Sequence, residues 1–402
     1  MRVPSATPPI YLTRRVLLRR TALAAGAACL GGRLDLRAAA AEALAGPATG
    51  PASAVAMAPT APVAIGACAS YDVGAVTARL AELFDLVGVG DLVNGKWVTV
   101  KVNLTGTPST SMLGRAAGRT YQTHFSVVLA TADLLRRAGA RQIRFVEGVY
   151  QNLSLEELFR GAGWDWPALQ AAGGSVSFED THNLGSFGQY ARLAVPGGGT
   201  IFPAYDLNRA YVETDVFVSL AKLKNHATAG VTLATKNSFG ITPLSLYGDD
   251  AGREDAGLAR LKILHDGSVD PPGGVPPELR KDTPRVPQWR VPRIIAELAA
   301  IRPIDLAIVD GIETIAGGEG PWVGKDLQAV RPGLLLVGRN PVCTDAVATT
   351  VMGYDPRAPA GTHPFPGDNH LQLAADAGLG TNDPSQIEVR GLSIDQARFN
   401  FG

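Results

Sequence analysis

The sequence predicts an α/β fold, built on a mostly parallel sheet with helices on both of its faces. From Val63 onward, short apolar runs alternate with segments of helical periodicity, and this order is typical of parallel sheets with helical crossovers. The apolar run at 215–221 is nearly continuous, as in a central strand that is buried on both faces. Two interruptions are predicted, a β-hairpin excursion at about 172–212 and a long insert rich in proline and glycine at about 246–292.

Each predicted element follows from a local pattern. Strands are predicted where short apolar runs are bounded by turn residues, at 63–68, 97–103, 142–146, 215–221, 305–309 and 334–337. Helices are predicted where apolar residues recur every three or four positions, at 76–87, 124–139, 229–239, 293–300, 342–352 and 369–377. Gly139 and Gly240 supply stop signals for the second and third helices. The seven prolines from Pro271 to Pro292 favour an irregular insert over a further helix.

The first 45 residues are typical of a twin-arginine (Tat) signal peptide. Arg14-Arg15 precedes a short Ala/Gly-rich apolar run at 21–32, and Ala43-Leu44-Ala45 offers a small-x-small cleavage site. Residues 46–62 are rich in proline, alanine and glycine, which predicts a flexible linker before a single α/β domain at 63–402. We therefore expect a periplasmic or secreted protein whose partner during export is the Tat translocase.

Composition argues against several classes of partner and cofactor. The signal holds seven of the 37 basic residues but two of the 37 acidic ones, so the mature chain carries a net charge of −5. It has no basic run for binding nucleic acid and no apolar run long enough to span a membrane. After cleavage, only Cys68 and Cys343 remain. They leave one disulfide open as an alternative, but they cannot provide a protein-ligated iron–sulfur cluster.

Polar side chains follow several of the predicted strands. Lys101 and Asn103 share one face of their strand, Glu147-Gly148 follows the strand at 142–146, and Asp310-Gly311 follows the strand at 305–309. Open parallel sheets bind ligands beyond the carboxyl ends of their strands, so we expect these residues to contribute to a site there. Each carboxylate, taken alone, is better explained as a helix cap or a solvated strand end.

The strongest indication of a site follows the central strand. That strand runs into Lys222-Leu223-Lys224-Asn225-His226, and Lys236-Asn237 comes shortly afterwards. If the strand continues, Lys222, Lys224 and His226 lie on one face. Buried lysines are costly unless paired, so the cluster predicts a cationic pocket for a carboxylate or phosphate, where a lysine of lowered pKa would also serve as a base. The alternative is a surface loop that contains lysines.

Two later residues complete the predicted site. His265 lies in the insert and is expected to reach in as a lid residue, although a lone histidine is often structural. Asp345 lies in the first turn of the helix at 342–352, where it either stabilises the helix dipole or enters the site. A divalent metal is one cofactor that mixed nitrogen and oxygen ligands would suit, and the candidate ligands are His226, Glu147, Asp310 and Asp345.

The segment from Lys222 to His226, with the stretch at 230–240, resembles the central signature of the domain-of-unknown-function 362 family. Further matching pieces occur in the family's order across about residues 63–381, at Lys101-Val102-Asn103-Leu104, Ala138-Gly139-Ala140, Glu147-Gly148, Val309-Asp310-Gly311, Gly320-Pro321, Asn340-Pro341 with Asp345, and Ala377-Gly378-Leu379-Gly380. The chain departs from the family at Val102-Asn103, where asparagine-proline is usual. Many relatives carry ferredoxin-type cysteine clusters, which implies a redox association, but this chain lacks those cysteines.

These residues predict an exported enzyme that acts on a small anionic substrate. The expected catalytic groups are Lys224, His226 and Lys236, working either in acid–base chemistry or in a redox-associated reaction. The expected substrate-binding residues are Lys101, Asn103, Lys222, Asn237 and His265. The alternative is a non-catalytic periplasmic protein in which the same lysines capture an anion without converting it.

Overall fold

The computed structural model describes residues 58–106, 111–149, 154–171, 176–323 and 326–402. The strands are β1 (Val63–Ala67), β2 (Trp97–Lys101), β3 (Gln142–Glu147), β4 (Val176–Asp180), β5 (Ala191–Ala194), β6 (Ala204–Leu207), β7 (Val216–Lys222), β8 (Asn225–His226), β9 (Gly230–Val231), β10 (Leu306–Gly311), β11 (Thr314–Ala316), β12 (Gln328–Val330), β13 (Leu334–Gly338) and β14 (Val389–Gly391). The helices are α1 (Val73–Val87), α2 (Val89–Val93), α3 (Phe125–Arg137), α4 (Leu155–Gly161), α5 (Trp166–Ala171), α6 (Leu233–Asn237), α7 (Leu244–Tyr247), α8 (Pro287–Ile301), α9 (Pro341–Val351), α10 (His370–Asp376) and α11 (Ile394–Ala397). The expected signal peptide and the linker residues 46–57 lie outside the described ranges.

Eight strands form the central sheet, in the order β14-β1-β13-β10-β7-β2-β3-β4. The run from β10 to β4 is parallel, and β1 is parallel to β14, whereas β13 is antiparallel to both of its neighbours. The predicted fold class is thereby confirmed. All seven residues of β7 are buried, which explains why its sequence is apolar without alternation.

Helices cover both faces of the sheet. On one face, α1 and α3 pack against alternate strand residues such as Val100 and Leu220. On the other face, α8 and α9 pack against the intervening residues, such as Phe217 and Val309. Asp72 caps the N-terminus of α1, and its carboxylate accepts a hydrogen bond from the Ala75 amide at 2.8 Å. Both layers therefore depend on strand side chains that alternate between two cores.

The described residues bear on two predictions, the absence of a membrane-spanning helix and the possible disulfide. Within them, no helix combines the length and the apolar composition that crossing a bilayer requires. Cys68 and Cys343 are both buried and unpaired, and they belong to core clusters on opposite faces of the sheet. The disulfide that the sequence left open is therefore not formed.

The hairpin excursion is smaller than predicted. β5 and β6 form an antiparallel hairpin within the region 172–212. β4 lies in the same region but joins the main sheet as an edge strand, parallel to β3. All five residues of β4 are only partly buried, so its sequence lacks the apolar run that marks the central strands of the sheet.

The insert gives way to a helix earlier than predicted. α8 begins at Pro287 rather than at 293, because proline is tolerated in the first turn, where no N–H group is needed. Pro292 lies inside α8, and the Gln288 carbonyl, four residues earlier, accepts from the Asp368 amide at 3.1 Å instead. Further back in the insert, one turn of π-helix occupies Leu261–His265.

The chain leaves the sheet directly after Lys222, so the continuation of the central strand to His226 is not formed. β8 and β9, of two residues each, form a short antiparallel hairpin instead. The helix predicted at 229–239 is shortened to α6, which is followed by a 3-10 turn at Ser238–Ile241. Gly230 explains the interruption, because its φ is +81° and a side chain there would collide with Pro364 and Phe365.

Candidate functional site

The carboxyl ends of β2 and β3 and the segment after β7 border a cavity of about 630 Å³. Parts of the insert at 259–265 and of the glycine-rich loop at 319–322 line it as well. Eight of the residues predicted for the site line this cavity: Lys101, Asn103, Glu147, Lys224, His226, Lys236, Asn237 and His265. The other three predicted residues, Lys222, Asp310 and Asp345, lie elsewhere in the fold.

Lys101 has a complete set of hydrogen bonds at the cavity wall. Its Nζ donates to Glu147 Oε1 at 2.7 Å, to the Val102 carbonyl at 2.9 Å and to Asn237 Oδ1 at 3.2 Å. These contacts use all three N–H donors of an ammonium group. Both side chains of the Lys101–Glu147 ion pair are buried. Lys101 therefore organises the wall and has no donor left for a ligand.

The two asparagines extend this network in a fixed orientation. Asn237 Nδ2 donates to the Lys101 carbonyl at 3.3 Å and to Ser219 Oγ at 3.0 Å, which leaves Asn237 Oδ1 as an acceptor. Asn103 Nδ2 donates to that Oδ1 at 3.1 Å. Asn103 Oδ1 then has no hydrogen-bond partner in the part of the chain that the structure describes. The network thus holds both amides while leaving one acceptor unused.

Lys224 and Lys236 differ from Lys101 because most of their N–H donors are unused. Lys224 Nζ donates to the Glu319 carbonyl at 2.7 Å and has no second acceptor within the described residues. Lys236 Nζ has no hydrogen-bond acceptor there, and it lies 4.4 Å from the centroid of the Phe239 ring. Five of the six N–H donors of these two lysines are therefore left for solvent or a ligand.

Burial lowers the pKa of Lys224 and of Lys236 from the usual 10.5 to about 7. The Glu319 carboxylate opposes this shift at both lysines, whereas neighbouring cations such as Arg260 add to it at Lys236. Each lysine therefore populates both its ammonium and its amine form near neutral pH. An anion bound beside them would raise the pKa of both groups.

The two histidines of the cavity present opposite hydrogen-bonding atoms. His226 Nδ1 accepts from the amides of Thr228 at 3.1 Å and Ala229 at 3.2 Å, so the neutral ring carries its proton on Nε2. His265 Nδ1 lies 2.9 Å from the Arg260 carbonyl, which can only accept, so Nδ1 donates and Nε2 is an acceptor. Burial lowers the pKa of His226 well below its usual value and that of His265 to about 4. Both rings are thus neutral at pH 7.

Asp345 supports the site from outside the cavity. Its Oδ1 accepts from the Ala234 amide at 2.8 Å and its Oδ2 from the Thr235 amide at 2.7 Å, so it holds the first turn of α6. α6 carries Lys236 and Asn237. Burial raises the pKa of Asp345 to about 7, against the effect of its hydrogen bonds to α6. Asp345 is therefore a positioning residue for Lys236.

Lys222 and Asp310 form a separate cluster on the opposite face of the sheet. Lys222 Nζ donates to Asp310 Oδ2 at 2.9 Å, to the Tyr71 hydroxyl at 2.9 Å and to the Gly118 carbonyl at 2.8 Å. Both members of the ion pair are fully buried. Lys222 continues the alternation of Leu220, so it faces the layer of α1 and α3. The expected grouping of Lys222 with the lysines after β7 is not formed.

The residues of the expected metal set are dispersed. Glu147 accepts from Lys101 and from the Leu104 amide, while the Asp310 carboxylate binds Lys222 and the Asp345 carboxylate caps α6. Two strands separate β3 from β10, a distance of about 14 Å at the usual strand spacing. Over the described ranges, no three His, Cys, Asp or Glu side chains are grouped to hold a metal ion. The residues present therefore do not fit the metal site considered above.

The cavity is also lined by residues that the sequence analysis did not assign to the site, among them Arg260, Glu319 and Trp322. Arg260 donates to the Thr242 carbonyl at 2.6 Å, and burial lowers its pKa to about 10. Glu319 accepts from the Ala227 amide at 2.7 Å and from the Trp322 indole at 3.1 Å. The glycines that surround Glu319 and Trp322 could have indicated a binding loop at these two residues. Arg260 lies in an irregular part of the insert, where no pattern in the sequence indicates a site.

The charge of the cavity is positive when its lysines are protonated. Glu147 neutralises Lys101, which leaves Lys224, Lys236 and Arg260 against the carboxylate of Glu319. The excess is two positive charges. Charged groups in a cleft of low dielectric attract ligands of the opposite sign. The arrangement therefore favours an anion.

The fold and this cavity define the class, an α/β protein with a cationic cavity at the carboxyl ends of parallel strands. The model of the family described as "Domain of unknown function (DUF362)" matches residues 98–350, and the chain belongs to that family. A thylakoid-associated protein of Synechocystis sp. is 26% identical over 296 residues, which cover 71% of this chain and 73% of the relative.

Two solved structures show a weak likeness. A protein from Thermotoga maritima has a TM-score of 0.34 at 12% identity, covering 80% of this chain and 60% of that chain. The lactate racemase apoprotein from Thermoanaerobacterium thermosaccharolyticum has a TM-score of 0.33 at 15% identity, covering 62% of this chain and 50% of that chain. This chain thus spans only part of either protein, and likenesses at this level do not indicate a reaction.

Proposed function

We propose that this protein is an enzyme that binds an anion in the cavity and transfers protons with Lys224 and Lys236, while His226 donates a hydrogen bond from Nε2 to the bound group. The observation that carries the proposal is the unused hydrogen-bonding capacity of the two lysines, which have one acceptor between them in the described chain. Lys224 is buried and Lys236 is half-buried at the cavity, and the oxygens of a carboxylate or phosphate would supply acceptors for their unused donors.

The protonation states give each group a role. Near pH 7, an amine form of Lys224 or Lys236 accepts a proton and an ammonium form returns it. His226 offers an N–H donor at Nε2, and His265 offers an acceptor at Nε2. Arg260 adds a cation to the wall, and Asn103 adds an amide acceptor. Proton transfer to or from a bound anion is the chemistry that these groups support.

Binding is tested by calorimetric titration with inorganic phosphate. Lys224→Met and Lys236→Met should each weaken phosphate binding roughly tenfold or more, because each removes charge-assisted hydrogen bonds from the cavity. Lys96→Met is the matched control, since Lys96 is exposed at the start of β2 and distant from the strand ends that line the cavity. Equal affinities in all four proteins would contradict an anion site in this cavity.

Catalysis is tested separately with a panel of carboxylates and phosphate esters in D₂O, followed by NMR. We expect the wild-type protein to convert or deuterate at least one compound, and His226→Asn to lose this activity. Asparagine retains a side-chain oxygen for the amides of Thr228 and Ala229, so the loop geometry is preserved. Binding without conversion of any compound would favour the alternative, a non-catalytic anion-binding protein.

We also propose that the protein is exported by the Tat pathway and works in the periplasm or outside the cell. Arg14-Arg15 and the weakly apolar run behind it support this location. Replacing Arg14 and Arg15 with lysines should retain the precursor in the cytoplasm, as measured by cell fractionation. Replacing Arg19 and Arg20 with lysines is the control for loss of arginine as such. Undiminished export of the Arg14/Arg15 variant would contradict the proposal.

A further inference from the structure

Trp322 is an exposed aromatic residue that is nonetheless held in place at the cavity. It lines the cavity with 51% of its surface exposed. Its indole Nε1 donates to Glu319 Oε1 at 3.1 Å. The six-membered ring packs against Gly106 and Gly320, where an added side-chain carbon would overlap it. The indole also packs edge-on against the buried ring of Tyr121, with 5.8 Å between the ring centroids, so the fold holds the indole while about half of its surface stays exposed.

Other apolar side chains line the same cavity. Leu261 of the π-helical turn is 52% exposed, and the lining also includes Leu104 and Phe239, which are buried. The cavity therefore combines the cationic groups of Lys224 and Lys236 with an uncharged apolar surface. Burying such area against a ligand is favourable in proportion to the area removed from water.

The cavity is also larger than a bare anion needs. Its volume of about 630 Å³ lies in the middle of the range of roughly 300–1,000 Å³ for sites of drug-sized ligands. A bare carboxylate or phosphate group fills a small part of that space. The remaining volume has room for a larger body on the ligand, and the residues that line the cavity indicate the chemistry of that body.

We propose that the ligand is an organic anion with a flat apolar body, whose charged group binds Lys224 and Lys236 and whose body packs on Trp322. This inference rests on the proposed anion site and names its substrate class, an aryl or similar apolar carboxylate or phosphate ester. Trp322 supplies a fixed surface, and Leu261 supplies apolar area that the body would remove from water. Because the indole is already ordered, little side-chain entropy is lost on binding.

The test compares two carboxylates with the same charge, acetate and 2-naphthoate, by calorimetric titration of the full chain. The wild-type protein should bind 2-naphthoate roughly tenfold or more tighter than acetate. Trp322→Ala should bring this ratio close to one. Gly320→Ala should also reduce it, because the added methyl group displaces the indole without removing it. Circular dichroism confirms that each variant is folded.

Trp97→Ala is the matched control, since Trp97 is another exposed tryptophan, 40% exposed at the start of β2, whereas the cavity lies at the carboxyl end of that strand. It should leave the ratio unchanged. A wild-type ratio near one, or a ratio that survives Trp322→Ala, would overturn the apolar body while leaving the anion site intact. Failure of acetate, 2-naphthoate and phosphate to bind at all would overturn the anion site itself, and this proposal with it.

Discussion

Lys222 and Lys224 are two residues apart in the chain and both are buried, yet their surroundings differ. Lys222 has an acceptor for each of its three N–H donors, one of them the carboxylate of Asp310. Lys224 has a single carbonyl acceptor within the described residues and lies beside the cavity with Lys236. Burial lowers the pKa of both Lys222 and Lys224, so burial does not distinguish them. The number of hydrogen-bonded donors distinguishes them: Lys222 is a structural lysine, whereas Lys224 is available to a ligand.

The largest effect is expected from Lys222→Met. The variant leaves the Asp310 carboxylate buried without its cation, which should lower the free energy of unfolding by about 3–5 kcal/mol. Urea denaturation followed by circular dichroism measures the loss. Lys224→Met is the matched comparison and should lose far less, because no buried carboxylate is left unpaired. Similar losses in the two variants would remove the distinction between the lysines.

The pH dependence of stability tests the lowered pKa of Lys224. The pKa of Lys224 is about 7 in the folded protein and near 10.5 when unfolded, so between these values the unfolded chain binds more protons. The free energy of unfolding therefore gains a contribution from Lys224 that rises with pH from 7 to 10. Lys224→Met should show a shallower rise in urea titrations across that window, and Lys96→Met should not. A wild-type slope in Lys224→Met would contradict the lowered pKa.

A smaller effect is expected on anion affinity. Sulfate remains a dianion from pH 6 to pH 9, so changes in its affinity report the protein alone. Because both cavity lysines lose their protons as the pH rises through about 7, sulfate should bind more weakly at pH 9 than at pH 6. Calorimetry at pH 7.5 in buffers of different ionisation enthalpy should reveal proton uptake on binding. Binding without proton uptake, and with constant affinity, would show that these lysines are not the anion's partners.

The smallest effect on stability is expected from His265→Asn. The asparagine amide retains a donor for the Arg260 carbonyl but removes the acceptor at Nε2. We expect a change in the free energy of unfolding within about 1 kcal/mol, because the local hydrogen bond is kept. Nitrogen-15 NMR of the wild-type protein should find the proton of His226 on Nε2 and that of His265 on Nδ1. The same tautomer in both rings would contradict the donor and acceptor pair.

Much of the site could be predicted because its residues follow apolar strands. Lys101 and Glu147 end two parallel neighbours, so the periodicity of each strand places them at one edge. The separation of Lys222 from Lys224 could not be predicted, because it depends on the end of β7 at Lys222. Arg260 lies in an irregular insert, and its approach to the cavity is set by tertiary contacts such as the Thr242 carbonyl. The role of Asp345 as a cap for α6 likewise joins segments 110 residues apart.

β1 is the first strand of the sheet, and both of its neighbours, β13 and β14, come from the final part of the sequence. At roughly 5–20 residues per second, a ribosome releases β14 tens of seconds after β1. During that interval Val63, Ala64 and Ile65, which are buried in the finished fold, have no edge to pair with. During synthesis β1 is therefore an unpaired apolar segment that can associate with other chains until β13 and β14 emerge.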